Sequence, residues 1–235
     1  MALGKTLGII LKTVERCNID CKYCYMFNMN DKTYLDRSPY IHLDTIKQTA
    51  VFLSEGIDTL NISAISIGFH GGEPLMQKKH VFETCCGIFK KYLADRVDLK
   101  FTLQTNGMLI DNEWIDIFNK HRVCLGISID GPKEYHDQDR VDHLGRGTYD
   151  RVAEKIHYLN NSHYFKNETT GAGLLCVINP LHSARKIYRH FVDDLSSCFM
   201  DFLLPYNTHM HEVLFSAEAY GDYLCELFRE WVNDD

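Results

Sequence analysis

Arg16-Cys17-Asn18-Ile19-Asp20-Cys21-Lys22-Tyr23-Cys24-Tyr25 contains three cysteines within eight residues, directly after a short apolar run. Gaps of three and then two residues allow one loop to direct all three thiols to a common centre. Thiolates are soft ligands that suit an iron–sulfur cluster, zinc or copper. Zinc sites usually have four protein ligands in two short pairs, and no second pair follows here. A four-iron cluster held by three cysteines leaves one iron open to another ligand, which is the first functional hypothesis.

Two other interpretations of this loop remain open at this point. The thiols are unrelated to one another, or they form a zinc site that a histidine completes.

Length and composition indicate one globular domain. The chain has 235 residues, 45% of them hydrophobic and 12% aromatic, which suits a single α/β core. A formal charge of −7 gives no electrostatic case for binding nucleic acid or an anionic membrane. Nine cysteines, an odd number, favour a reducing cytoplasm over a secreted disulfide scaffold. We also expect no signal peptide at the start of the sequence and no membrane-spanning segment.

Strand-like and helix-like patterns alternate along the chain. Six predicted strands, most of them ending in Gly, Pro, Asn or Asp, cover residues 7–13, 62–69, 99–104, 123–129, 174–178 and 200–204. Six predicted helices follow them, at residues 42–56, 79–93, 111–120, 148–160, 183–195 and 217–232. Such alternation predicts a parallel sheet with right-handed crossovers. Eight units would close a barrel, whereas six predict an open, partial (β/α)6 barrel of the α/β class, with ligands at the carboxyl ends of the strands.

A glycine-rich turn directly follows the second predicted strand. Gly71-Gly72-Glu73-Pro74 allows close backbone approach at its glycines, and its carbonyls and Glu73 can accept hydrogen bonds from an ammonium group. Alone the turn is a weak signal. One strand after a three-cysteine loop it is a strong one, because a ligand on the open iron needs such a partner.

These motifs together resemble the radical SAM superfamily. The resemblance rests on the three-cysteine loop, on Gly71-Gly72-Glu73-Pro74, on Gln104-Thr105-Asn106-Gly107 and on Ser128-Ile129-Asp130-Gly131-Pro132. It is greatest to the SPASM-type maturases that modify peptides and proteins. Two longer stretches, residues 12–21 and 201–207, are similar to enzymes that crosslink ribosomally made precursor peptides into cyclophanes.

The resemblance implies a [4Fe–4S] cluster held by Cys17, Cys21 and Cys24. S-adenosylmethionine would chelate the fourth iron. It also implies that Tyr23 lies against the adenine of S-adenosylmethionine.

Further contacts to S-adenosylmethionine follow from the same resemblance. The methionine ammonium group would be bound by Gly71, Gly72 and Glu73. The ribose and methionyl portions would contact Gln104 and Ser128, which otherwise simply cap strand ends.

Two more residues complete the implied set. Arg140 would bind the carboxylate, for which an arginine is chemically apt, or is instead a solvated loop residue. Leu175 would offer backbone and apolar contact to the adenine, or is plain core. Asp130 is expected only to shape a turn.

The implied reaction is hydrogen abstraction from a peptide, most of all to join an aromatic ring to a side-chain Cβ in a cyclophane. One alternative is oxidation of Ser or Cys to formylglycine, as in sulfatase maturases of the same branch. Another is a non-catalytic metal-binding module that recognises a peptide. The expected partners are a precursor peptide and an electron donor such as flavodoxin or ferredoxin, without nucleic acid or membrane.

The resemblance covers residues 1–235 as the radical SAM core, and we expect the C-terminal auxiliary-cluster (SPASM) domain to be absent or truncated. The remaining six cysteines repeat no ligand spacing, so no second cluster is predicted; Cys124 and Cys176, in strands, are expected in the core. In the loop at residues 207–212, His209 and His211 are weaker candidates for metal ligands or proton carriers; otherwise the loop shapes the substrate site or is solvated. The preceding Tyr206 is an equally weak candidate for a substrate gate.

Overall fold

The structure is a computed structural model that describes residues 5–164, 172–206 and 214–234. Its six strands form one sheet in sequence order. They are β1 (Lys5–Val14), β2 (Ile62–Gly71), β3 (Asp98–Thr105), β4 (Val123–Ser128), β5 (Gly173–Val177) and β6 (Met200–Leu203). Strand β2 pairs in parallel with β1 and with β3, and β5 pairs in parallel with β6.

Helices separate the strands, as the sequence predicts. They are α1 (Leu43–Leu60), α2 (Lys79–Leu93), α3 (Asn112–His121), α4 (Lys133–Asp139), α5 (Tyr149–Asn161), α6 (Ala184–Arg189) and α7 (Ala217–Val232). Asp111 caps α3 as predicted, since its side chain accepts a hydrogen bond from the backbone N–H of Trp114. The alternation of strand and helix therefore confirms the predicted α/β class.

Helix α1 runs past the predicted end at Gly56. Its buried face continues through Leu53 to Ile57, so burial of the apolar stripe outweighs the low helix propensity of one glycine. The helix ends only at Asn61, which adopts a left-handed conformation with φ 54°.

Two further differences concern the second half of the chain. Helix α4 was not predicted, because His136 is its one buried residue and no apolar period marks it. The helix predicted for residues 183–195 is α-helical only to Arg189 and continues as a single turn of π-helix, His190–Asp194.

The chain folds into two compact units. Of the described residues, the first unit holds 5–18, 33–126 and 162–164, and the second holds 19–32, 127–161, 172–206 and 214–234. In the first unit, α2 and α3 cover the apolar face of the sheet through aromatic contacts. The ring of Phe82 lies 4.6 Å from that of Phe69 and 5.4 Å from that of Trp114, centroid to centroid.

In the second unit, polar contacts attach α7 to α6. Ser183 Oγ donates a hydrogen bond to Glu226 Oε1 at 3.2 Å, and Tyr188 Oη donates one to Asp234 Oδ2 at 2.8 Å. Phe228 and Trp231 on the same helix are more than half exposed.

Among the described residues, no helix combines the length and the hydropathy needed to cross a bilayer.

Candidate active site

The glycine-rich turn lies where β2 meets the end of β1. Gly71 has φ +153°, and a Cβ at this position would lie 2.2 Å from the carbonyl oxygen of Val14. The next residue, Gly72, donates its N–H to the same oxygen at 2.7 Å. Only glycine fits at position 71, because the two backbones approach too closely for any side chain.

Glu73 connects three segments of the first unit. Its N–H donates to the carbonyl of Arg16 at 2.8 Å, and the residue is only 1% exposed. Oε1 accepts hydrogen bonds from Leu75 N at 2.9 Å and Thr105 Oγ1 at 2.8 Å, and Oε2 accepts one from Asn106 N at 2.8 Å. The carboxylate therefore stabilises the turn and joins it to the end of β3. Its predicted contact with an ammonium group stays a prediction.

Asn106 brings the end of β3 to the first cysteine. Its Nδ2 lies 2.8 Å from Asn18 Oδ1 and 3.8 Å from Cys17 Sγ. Asn106 belongs to one of the sequence motifs, but no role was predicted for it. Its position at a strand end, one strand from the glycine-rich turn, was the available signal.

The position of the Gln104 side chain, which is predicted to contact S-adenosylmethionine, depends on the absence of a side chain at Gly126. The residue is half-buried near the end of β3. A Cβ added at Gly126 would lie 2.3 Å from Gln104 Oε1. Gly126 therefore provides the space that the Gln104 side chain occupies.

In the second unit, the cysteine loop is bonded to the last residue of α4 and to the segment that follows it. Asp20 N donates to the carbonyl of Val141 at 2.7 Å, and Lys22 N donates to the carbonyl of Asp139 at 2.9 Å. These two bonds flank Cys21 on either side, so the fold itself fixes the backbone of this residue.

A buried network lies beside Cys21. Tyr23 Oη donates to Asp130 Oδ2 at 2.5 Å and accepts from Arg140 Nη1 at 2.7 Å. The other oxygen, Asp130 Oδ1, accepts from Val177 N at 3.1 Å. Asp130 is therefore more than the predicted turn former, and Arg140 is buried rather than solvated.

Burial and charge act against each other in this network. Burial raises the pKa of Asp130, and the Arg140 guanidinium counters that effect. Burial also raises the pKa of the Cys21 thiol to about 11, with Arg140 again acting in the opposite direction. Within the described residues, Nε of Arg140 is buried and has no hydrogen-bond partner.

His136 is linked by hydrogen bonds to the backbone of Asp130 and, through Thr148, to that of Arg140. Its Nδ1 accepts from Asp130 N at 3.2 Å, so the proton resides on Nε2, which lies 3.0 Å from Thr148 Oγ1. That hydroxyl donates in turn to the carbonyl of Arg140 at 2.8 Å. The imidazole is fully buried, and burial lowers its pKa to about 2. It is therefore a neutral structural group.

Ser128 and Leu175 lie on the less buried face of their strands. Both are half-buried, whereas the adjacent Ile127 and Leu174 are fully buried. Side chains alternate between the two faces of a strand, so neither residue lies on the fully buried face of its strand. Their predicted contacts with S-adenosylmethionine remain predictions.

The structure places Cys17 in the first unit and Cys21 and Cys24 in the second. All three are partly exposed, with no disulfide. In the part of the chain that the structure describes, no three Cys, His, Asp or Glu side chains are gathered as a ready metal site. Their role as cluster ligands stays a prediction.

The remaining candidates, Tyr206 and the loop after it, follow β6. Residues 207–212, with both loop histidines, lie outside the described residues. Tyr206 is 58% exposed, and its ring centroid lies 5.4 Å from that of Tyr25.

The strand cysteines divide between the two faces of the sheet. Cys176 is buried as predicted, but Cys124 is exposed, and that prediction was wrong. Residue 124 lies between the buried Val123 and Leu125 and points to the opposite face.

Comparison with known proteins identifies the family of this chain. The family model of the radical SAM superfamily matches residues 11–178. The serine-type anaerobic sulfatase-maturating enzyme of Bacteroides thetaiotaomicron is 25% identical over 253 aligned positions, covering 99% of this chain and 59% of that enzyme. The cysteine-type enzyme of Clostridium perfringens is 28% identical over 237 positions, covering 97% of this chain and 61% of that enzyme. The chain thus spans about three fifths of the length of these relatives.

A solved structure shows the fold. Native anSMEcpe with bound AdoMet and Kp18Cys peptide superposes with a TM-score of 0.77 at 24% identity, over 98% of this chain and 61% of that one. The likeness confirms the predicted partial (β/α)6 barrel. Because the family model matches most of the chain, the protein belongs to the radical SAM superfamily, enzymes that use a [4Fe–4S] cluster and S-adenosylmethionine.

Proposed function

We propose that Cys17, Cys21 and Cys24 hold the [4Fe–4S] cluster and that the chain abstracts a hydrogen atom from a side-chain Cβ of a peptide or protein substrate. The observation that carries the proposal is the fixed cysteine loop. Backbone hydrogen bonds of Asp20 and Lys22 fix the backbone at Cys21. The charge of Arg140 acts on the Cys21 thiol, and the buried Nε of Arg140 has no hydrogen-bond partner among the described residues.

The residues present fit the cofactors in their chemistry. Cysteine thiolates are the usual protein ligands of an iron–sulfur cluster, and this loop supplies three cysteines. Burial raises the pKa of the Cys21 thiol, and the buried cation of Arg140 partly counters that effect; the Nδ2 of Asn106 is directed to the Cys17 sulfur. A buried guanidinium with an unused N–H also suits a carboxylate such as that of S-adenosylmethionine.

When bound and reduced, the cluster and S-adenosylmethionine supply a 5′-deoxyadenosyl radical, which can take hydrogen from an unactivated carbon. The chain's own task is to bind and orient the reactants and to exclude water. For S-adenosylmethionine we assign this task to Tyr23 and the residues at the strand ends: Gly71, Gly72, Glu73, Gln104, Ser128, Arg140 and Leu175.

A peptide substrate is supported by the relatives. Both named enzymes mature sulfatases, and the structure compared was solved with a peptide. We propose flavodoxin or ferredoxin as the reductant and the cytoplasm as the location. Residues 1–235 are assigned as the radical SAM core.

The fate of the Cβ radical separates two candidates. Oxidation of Ser or Cys to formylglycine is supported by the similarity to serine-type and cysteine-type sulfatase-maturating enzymes. Crosslinking of Cβ to an aromatic ring is favoured by the exposed pair of Tyr25 and Tyr206, one residue beyond Cys24 and shortly after β6. Such a pair offers an aromatic surface on which a substrate ring can pack.

Deuterium transfer tests the shared step. The protein, reconstituted anaerobically and reduced with dithionite, is incubated with S-adenosylmethionine and peptides deuterated at Cβ or, as the control, at Cα. Deuterium in 5′-deoxyadenosine from the Cβ-labelled peptide alone is expected. Label from neither peptide, with abundant 5′-deoxyadenosine, contradicts a Cβ target. No 5′-deoxyadenosine at all from cluster-loaded protein supports the non-catalytic module instead.

The product then separates the candidates. A peptide that reacts with hydrazide reagents contains formylglycine. A peptide that loses two hydrogens, does not react with hydrazide and resists fragmentation between two residues contains a crosslink.

A further inference from the structure

The side-chain carboxamide of Asn106 has a fixed orientation. The backbone N–H of Met108 donates to Asn106 Oδ1 at 3.1 Å. The oxygen of the carboxamide is thereby committed as an acceptor, so its NH2 group must occupy the other side. That side faces Asn18 Oδ1 at 2.8 Å and Cys17 Sγ at 3.8 Å.

The surroundings prevent this side chain from turning away. Asn106 is 5% exposed, and its own N–H is bound to the Glu73 carboxylate at 2.8 Å. The preceding residue, Thr105, is 2% exposed and accepts the N–H of Gly107 at 3.0 Å. The side-chain NH2 group of Asn106 is therefore held toward Cys17 and Asn18.

A nearby N–H group changes the redox behaviour of a cluster thiolate. Reduction adds negative charge to the cluster, and a hydrogen bond to a ligand sulfur stabilises that charge. A thiolate is also a stronger acceptor than the neutral thiol, since bonds to ionised groups are shorter and stronger.

We propose that Asn106 is a positioning residue for the cluster, donating an N–H···S hydrogen bond to Cys17 and raising the cluster's midpoint reduction potential. The proposal deepens the function proposed above and rests on Cys17 being a ligand. It makes the end of β3 part of the cluster's electrostatic environment as well as of the S-adenosylmethionine site.

The competing interpretation is that Asn106 serves only the turn through Met108. Asn106→Ser separates the two roles. A serine hydroxyl can still accept from the backbone two residues on, but it is too short to reach Cys17. Asn106→Asp also keeps the acceptor for Met108 and replaces the donor with a negative charge. Asn119→Ser in α3 removes an amide elsewhere in the unit and is the control.

The measurement is a potentiometric titration of the reconstituted cluster, followed by EPR, without S-adenosylmethionine. We expect Asn106→Ser to lower the reduced-to-oxidised ratio at a fixed potential about tenfold, which is about 59 mV for a one-electron couple. We expect Asn106→Asp to lower it further and Asn119→Ser to leave it unchanged. A fully loaded Asn106→Ser variant with the wild-type midpoint overturns the proposal.

Loss of the cluster from the variants is also decisive. If Asn106→Ser binds no cluster but its cluster-free form melts at the temperature of the cluster-free wild type, Asn106 acts on the ligand as proposed. If the melting temperature of the cluster-free variant falls as well, the residue serves the fold and the proposal is wrong. Full cluster retention in Cys17→Ala would instead refute the ligand assignment, whatever the Asn106 variants do.

Discussion

Glu73 offers the sharpest test of how the glycine-rich turn is held. Among the contacts of the described residues, its carboxylate accepts hydrogen bonds from Leu75 N, Thr105 Oγ1 and Asn106 N, and it is almost fully buried. Glu73→Gln keeps the shape of the side chain. One amide oxygen can still accept from Leu75 and Thr105, but the new NH2 group faces the N–H of Asn106.

These contacts set the expected loss in the free energy of unfolding of Glu73→Gln. One hydrogen bond to a charged acceptor is lost, a buried N–H is left without an acceptor, and the two remaining bonds lose their charge assistance. Together we expect a loss of about 2–4 kcal/mol in the free energy of unfolding. Urea unfolding of the cluster-free protein, followed by far-UV circular dichroism, measures it without a contribution from ligand binding.

The matched control is Glu55→Gln, at an exposed position of α1. We expect that variant to differ from the wild type by less than about 0.5 kcal/mol. If Glu73→Gln unfolds at the same urea concentration as Glu55→Gln, the three bonds do not stabilise the turn. If it is stable but binds S-adenosylmethionine weakly, Glu73 acts on the cofactor rather than on the fold.

Three further changes test other parts of the site. Cys21→Ala is expected to abolish cluster binding, measured as iron content and visible absorbance after reconstitution; retained iron would exclude it as a ligand. Gly126→Ala should displace Gln104 and weaken S-adenosylmethionine binding about tenfold, the equivalent of one hydrogen bond, whereas Gly8→Ala, with nothing within 4 Å of its added Cβ, should bind normally in calorimetry. His136 has a folded-state pKa of about 2, below the unfolded value of about 6.5. Below about pH 6.5 the unfolded chain therefore binds a proton at His136 that the folded chain does not, and the free energy of unfolding falls. Relative to His136→Gln, the wild type should lose about 1.4 kcal/mol per pH unit as the pH falls from 6 to 4, and parallel stability curves in urea would contradict this.

The strand–helix order was predictable because each element carries its own periodicity. Helices α2 and α7 have the predicted bounds, since an amphipathic pattern depends only on residues a few positions apart. Helix α1 differs because burial of Ile57 is a tertiary effect that overrides Gly56 locally. Helix α4 lacks a periodic pattern and depends on the single buried His136.

The motif loops were predictable as a set, but the hydrogen bonds among them were not. Tyr23 and Asp130 are 107 residues apart in sequence, and Asn106 and Cys17 are 89 apart. No local pattern links such pairs. The parallel sheet brings the ends of neighbouring strands together, but which side chains meet there depends on tertiary packing.

The backbone hydrogen bonds on either side of Cys21 have a consequence for metal loss. In small zinc domains the metal orders the chain, so a chelator unfolds the protein. Here Asp20 and Lys22 are bonded to the end of α4 and the segment after it by the fold itself. The ordering entropy of this part of the loop is therefore lost on folding rather than on cluster insertion. Chelation should therefore leave this backbone in place, and amide hydrogen exchange at Asp20 and Lys22 should stay slow. Damage to the cluster by oxygen would then be repairable in a folded protein.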